Sequence, residues 1–139
     1  MVIILGSLNQ VDNMQKSIYD TIARISNGQR YRFSELNVVK SKIVISFLKF
    51  LYSEGFIRGF NLNNLSITVF LKYHNLKPSI SYISSLSKPS KRVYLSKKEI
   101  LVLSKKKEIF VILTSKGFFS SKNVFESSFE GGEVVCILS

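Results

Sequence analysis

The sequence predicts an α+β protein of two small units packed together: a helix-strand-helix-hairpin unit, then a mostly β unit with short helices. Three observations predict it. Apolar residues recur at Met14, Ile18, Ile22 and Ile25, and again at Val44, Phe47, Leu48 and Leu51, each set forming one stripe on a helix. The unbroken apolar runs at residues 109–113 and 134–138 have the length of buried strands. Asn63-Asn64 separates two strand-like segments, as a tight hairpin turn would.

Taken in order, residues 1–12 show no periodicity and read as an extension. The first unit covers residues 13–76. Asp12 or Asn13 is a suitable N-cap for its first helix, and Asn27-Gly28 a suitable stop, because glycine takes the left-handed C′ position without steric cost. Tyr31-Arg32-Phe33 alternates like a short strand. Ser41 suits the N-cap of the second helix, and Glu54-Gly55 its end. The hairpin spans residues 56–62 and 65–73, and the pattern breaks at residues 75–78, where the boundary between the units is expected.

The second unit covers residues 77–139. A strand is expected at residues 80–86, and Ser96 with Glu99 spells a capping box for a short helix through Leu103. After the strand at 109–113 comes a turn at Thr114-Ser115-Lys116-Gly117, with Phe118 and Phe119 packing inward. Residues 120–129 are weakly patterned, helix or loop, and Gly131-Gly132-Glu133 leads into the terminal strand.

The chain of 139 residues carries 20 Lys and Arg against 9 Asp and Glu, a formal charge of +11. Hydrophobic residues make up 45%, enough for a packed core rather than a disordered chain. So large a positive excess points to a polyanion, nucleic acid ahead of a membrane surface. The excess is not a tail: residues 1–77 hold 10 basic and 4 acidic side chains, residues 78–139 hold 10 and 5. Both units are therefore expected to face the same polyanion.

Catalytic chemistry finds little to build on. Cys136 is the only cysteine and lies in an apolar run, which reads as a small buried hydrophobe and rules out zinc-finger spacing. His74 is the only histidine and has no carboxylate or thiol cluster beside it in sequence. The acids are scattered apart from Glu126, Glu130 and Glu133, whose spacing has no metal-box form, and no phosphate-binding glycine loop is present. No enzyme activity, cofactor, metal or small-molecule substrate is expected. Four apolar residues after Met1 are too few for a secretory core or a membrane span.

RNA binding has the parts it needs. Lys and Arg supply the salt-sensitive phosphate attraction, and Thr and Ser hydroxyls reach 2′-OH groups and base edges. Glycines at 117, 131 and 132 let a sugar-phosphate chain approach the backbone. Tyr94 suits stacking on a base or filling the core. Alone, the 114–117 segment is an ordinary turn. Paired with Gly-Gly-Glu and an apolar run ending in Cys136, in a basic chain, it is a far more specific signal. The lysines at 105–107 suit a solvated charge run or a phosphate contact equally.

Several stretches, in the same order along the chain, resemble one family: Arg24 with Asn27-Gly28, Ser41-Lys42, Glu54-Gly55-Phe56-Ile57, Ser87 through Arg92-Val93-Tyr94, the 114–117 turn and residues 131–136. That family is small-subunit ribosomal protein eight. The sequence departs from its pattern at Ser26, where the family usually has arginine, at Lys16-Ser17, and at Lys88 and Ser90. The resemblance implies a primary binder of the central domain of small-subunit ribosomal RNA, seated on a helix with an irregular internal loop, with other small-subunit proteins as neighbours. It places Thr114, Ser115, Lys116 and Gly117 on distorted bases and backbone, with Gly131, Gly132 and Glu133 lining the same surface. Arg92 and Tyr94 flank it, and Arg24, Asn27 and Lys42 add phosphate contacts from the first unit.

Ala23 is the only alanine, while residues with A/T-rich codons abound. A mitochondrion-encoded protein in the matrix ribosome is expected, with another organelle or a bacterial cytoplasm as the alternative. Two other functions stay open: a non-ribosomal RNA-binding module such as a translational repressor, and a basic protein-interaction domain.

Overall fold

A computed structural model describes residues 5–88, 91–126 and 131–139. The first helix, α1, spans Leu5–Arg30, so it starts well before the expected cap at Asp12 or Asn13 and takes in most of the supposed extension. Its stop also differs. Gly28 is buried inside the helix, and the left-handed C′ residue is Arg32 at φ 58°. The amide of Arg32 donates to Gln29 O at 3.3 Å and that of Phe33 to Gly28 O at 2.9 Å, the paired bonds of a Schellman end. Gly28 instead leaves room for two leucines: a Cβ there would lie 2.6 Å from Leu36 Cδ2 and 2.9 Å from Leu71 Cδ1, so both side chains would have to shift.

The backbone of residues 31–33 is thus spent on ending α1, and the expected strand forms one step later as β1, Glu35–Val39. The second helix, α2, spans Lys42–Ser53 and follows the sequence closely. Val44 N donates to the Ser41 side chain at 3.3 Å, and Val44, Phe47, Leu48 and Leu51 are all buried. Gly55, at φ 82°, gives α2 its left-handed exit.

The hairpin β2 (Ile57–Leu62) and β3 (Ser66–Leu71) completes a three-stranded antiparallel sheet in the order β1-β3-β2. Where the pattern breaks, the chain makes a second hairpin of two-residue strands, β4 (Tyr73–His74) and β5 (Lys77–Pro78). Its turn residues Asn75 and Leu76 both have positive φ, at 51° and 66°, as a type I′ turn requires.

The second sheet has five strands: β6 (Ile83–Ser85), β7 (Tyr94–Ser96), β8 (Ile109–Thr114), β9 (Gly117–Ser120) and β10 (Gly131–Leu138). β10 is central, paired antiparallel to β8 on one side and to β6 and β7 in succession on the other. The strand expected at 80–86 is confined to three residues, whereas the terminal strand reaches back through both glycines. α3 (Lys97–Ser104) opens with the capping box of Ser96 and Glu99, and a 3-10 turn spans Ser121–Glu126.

Both faces of the second sheet are covered, which explains its unbroken apolar runs. Val111, Val135, Cys136 and Leu138 join the main core with Ile18, Ile22 and Ile25 of α1 and the buried face of α2. Phe110, Ile112 and Val134 pack with Ile100 of α3 in a second, smaller core. A register shift between Val134 and Cys136 lets consecutive residues go to ground on β10. Phe118 packs against Phe47 and Phe50 of α2, with ring centroids 5.4 and 6.3 Å away.

Candidate nucleic-acid interface

Antiparallel pairing gathers several segments at one end of the second sheet. There β8 ends, β9 starts, β10 starts at Gly131 opposite Ser96, and α3 begins. The turn between β8 and β9 carries Ser115 and Lys116 exposed at its tip. Thr114 is committed to holding that turn: its hydroxyl donates to Gly117 O and accepts from Lys116 N, both at 3.1 Å. Gly117 sits at φ 116°, a conformation other residues adopt only under strain, although nothing lies within 4 Å of where its side chain would be. Thr114 and Gly117 shape the turn, and Ser115 and Lys116 are what it presents.

Gly131 and Gly132 serve a different purpose. A Cβ on Gly131 would meet Leu95 O at 2.6 Å, and one on Gly132 would meet Leu113 O at 2.7 Å and Ile112 Cγ2 at 2.8 Å. Backbone carbonyls of β7 and β8 occupy that space, so these glycines let the strands close on one another. Glu133 follows, 4% exposed, opposite Tyr94 on β7 and Leu113 on β8. It does not present its carboxylate on an open surface. The Tyr19 hydroxyl of α1 donates to Glu133 Oε1 at 3.4 Å. Burial, and next the adjacent Glu133 charge, push the Tyr19 hydroxyl up to about 12, and Arg92 pulls the other way. Tyr19, Arg92, Tyr94 and Glu133 therefore share one small region, with Tyr94 itself 63% exposed.

Of the three sites expected in the first unit, one comes near. Ser17 Oγ lies 3.2 Å from Ser41 Oγ, which sets the start of α2, and hence Lys42, beside the stretch of α1 that holds Tyr19. From Phe118 against Phe47 to Asn123 Nδ2 donating to Glu54 Oε1 at 3.3 Å, the chain after the turn runs alongside α2 in the same direction. Lys42 and the turn thus lie toward the same end of α2. Arg24 and Asn27 are exposed on α1 but stand about 7 and 12 Å beyond Tyr19 along the helix. Arg24 is also engaged, its Nε 3.0 Å from Asp20 Oδ2.

The lysines at 105–107 belong to the opposite end of the sheet, since the length of β8, about 17 Å, separates them from the 114–117 turn. Residues not singled out from sequence belong to the near end. Lys97 and Lys98 are exposed at the start of α3, beside Gly131. Ser87 is fully buried: it donates to Val134 O at 2.5 Å and accepts from Val93 N at 2.9 Å, tying the Arg92-bearing segment to β10. Exposed lysines next to a capping box were open to sequence reasoning; Tyr19, 114 residues from Glu133, was not.

Cys136 is fully buried, and burial raises its thiol pKa. Among the described residues, no three His, Cys, Asp or Glu gather as metal ligands, and no helix is long and apolar enough to cross a membrane.

Residues 16–138 match the family model described as ribosomal protein S8. The chain is similar to the small ribosomal subunit protein uS8 of Coxiella burnetii (strain RSA 331 / Henzerling II), with 35% identity over 91% of this chain and 99% of that protein. It is 34% identical to the uS8 protein of Nitrosomonas europaea over 91% of this chain and 98% of that one. With the uS8 protein of Buchnera aphidicola subsp. Acyrthosiphon pisum (strain 5A) the identity is 32%, over 91% and 99%. A family match over residues 16–138, with relatives 32–35% identical over 91% of this chain, means that the chain belongs to the ribosomal protein S8 family.

Proposed function

We propose that this protein binds the central domain of small-subunit ribosomal RNA through the near end of its second sheet, at a helix with an irregular internal loop. Family membership makes it a structural constituent of the small ribosomal subunit that binds ribosomal RNA, and not an enzyme. The observation that carries the finer reading is the 114–117 turn. Thr114 and Gly117 fix its shape, so Ser115 and Lys116 meet RNA without first being ordered. Tyr94, Lys97 and Lys98 lie at the same end of the sheet, Arg92 lies near Tyr19, and Lys42 starts α2; they offer phosphate contacts and one stacking ring. Gly131, Gly132 and Glu133 act beneath this surface, holding strands and side chains in register. Arg24 and Asn27 reach a separate stretch of the same RNA.

Division of the chain between residues 76 and 77, with all of α1 in the first unit, suits this role, with the second unit supplying the main contacts and other small-subunit proteins as neighbours. A single alanine and the abundance of residue types with A/T-rich codons support a mitochondrial gene and a matrix ribosome. Finding the gene in a nuclear chromosome would end that part of the reading. Function is tested by binding to a central-domain RNA fragment and to an unrelated hairpin across a salt series, together with cosedimentation with small subunits. Preference for the fragment and passage into the subunit fraction are expected. Equal affinity for both RNAs would contradict the assignment.

A further inference from the structure

A groove apart from the 114–117 turn lies between α2 and β2. β2 is an edge strand, and its register against β3 shifts between Ile57 and Gly59, leaving Arg58 as the extra residue of a bulge. Bulges re-aim side chains. Here the guanidinium of Arg58 is carried over the ring of Phe70, 5.6 Å from its centroid, and held there by an Nε bond to Leu71 O at 3.1 Å. Between this strand and α2 runs a groove of about 390 Å³ to which Lys49, Tyr52, Asn61 and Phe70 also contribute. Gly59 leaves its floor open, since nothing stands within 4 Å of where a side chain would be.

The lining has a definite chemistry. Tyr52 is 57% exposed, an aromatic face that the core does not use. Arg58 over Phe70 offers a preordered cationic plane, and Lys49 is exposed at the rim. Among the described residues, no carboxylate lines the groove. Of the described acids, Glu35 stands opposite Phe70 on β1, on the same face of the sheet but on the side of the ring away from β2, and Glu54 accepts from Asn123. Planar rings, a guanidinium plane, an amide and a lysine are what an unpaired nucleotide needs for base stacking, edge recognition and phosphate contact. We infer that the groove between α2 and β2 binds an unpaired RNA nucleotide, its base stacked against Tyr52 and the Arg58–Phe70 pair and its phosphate beside Lys49. This is a site apart from the 114–117 turn, and it stands or falls separately from the central-domain reading.

The test titrates the intact protein with single-stranded hexaadenylate, following amide and aromatic resonances by NMR and affinity by anisotropy. Shifts confined to Lys49, Tyr52, Gly59, Asn61 and Phe70 are expected, with about tenfold weaker binding for Tyr52→Ala. Lys49→Gln provides a second, surface variant that lowers affinity and flattens its salt dependence. Both variants are expected to bind the structured central-domain fragment as wild type does. Shifts centred on residues 115–117, no loss with Tyr52→Ala, or equal competition by hexaglutamate, which would mark a groove for acidic protein, would each overturn the inference.

Discussion

The 114–117 turn and the 131–133 segment lie side by side at one end of one sheet, and their circumstances are opposite. Ser115 and Lys116 are exposed on a braced turn, while Gly131 and Gly132 are closed upon by carbonyls of the neighbouring strands and Glu133 is buried under Tyr19. Both were expected to touch RNA. The structure separates presenting a surface from supporting it. The same residue type even changes role across the pair: Gly117 is required by its backbone angle, Gly132 by lack of room.

That contrast breaks most readily at Gly132. A Cβ would press on Leu113 O, backbone that cannot step aside, so Gly132→Ala is expected to cost about 3 kcal/mol, near the upper end for overpacking. Thermal unfolding checks this, with a fall in Tm of roughly 10 °C for a domain of this size. Next comes the surface pair. Ser115→Ala/Lys116→Gln is expected to weaken binding of the central-domain fragment at least tenfold, about 1.4 kcal/mol, and to lower the salt slope by about one. Tm should not move.

Tyr19→Phe sharpens the supporting side. The hydroxyl's folded pKa is raised from 10.0 to about 12, so its stabilising effect is fully present below pH 10 and is lost as pH climbs toward 12. The stability gap between wild type and Tyr19→Phe, measured by urea unfolding, should therefore be widest near neutrality and close over that window. A constant gap would mean that neither burial nor Glu133 raises the Tyr19 hydroxyl. The smallest effect belongs to Lys105→Gln/Lys106→Gln/Lys107→Gln. These lysines sit a strand length from the turn, and less than a threefold loss of fragment affinity is expected by filter binding.

Much of this was legible in the sequence, for local reasons. The caps at Ser41 and Ser96, the stripe of α2 and the exit at Gly55 are set by residues within a turn or two of each other. So was the turn at 114–117. What escaped was set at a distance. Asn27-Gly28 has the local form of a helix stop, but Leu36 and Leu71 determine why glycine stands there, and Arg32 takes the left-handed position instead. Residues 5–13 lack an apolar stripe, yet they continue α1. Tyr19 and Glu133 meet across nearly the whole chain, and only tertiary structure brings them together.

The most direct test sets Ser115→Ala/Lys116→Gln beside Gly132→Ala, measuring both Tm and affinity for the central-domain fragment, the latter at a temperature where both variants are folded. A double dissociation is expected: the first loses affinity and keeps its Tm, the second loses Tm and keeps its affinity. If the folded Gly132→Ala protein binds weakly while Ser115→Ala/Lys116→Gln binds as wild type, the glycine segment is the RNA contact and the turn is not.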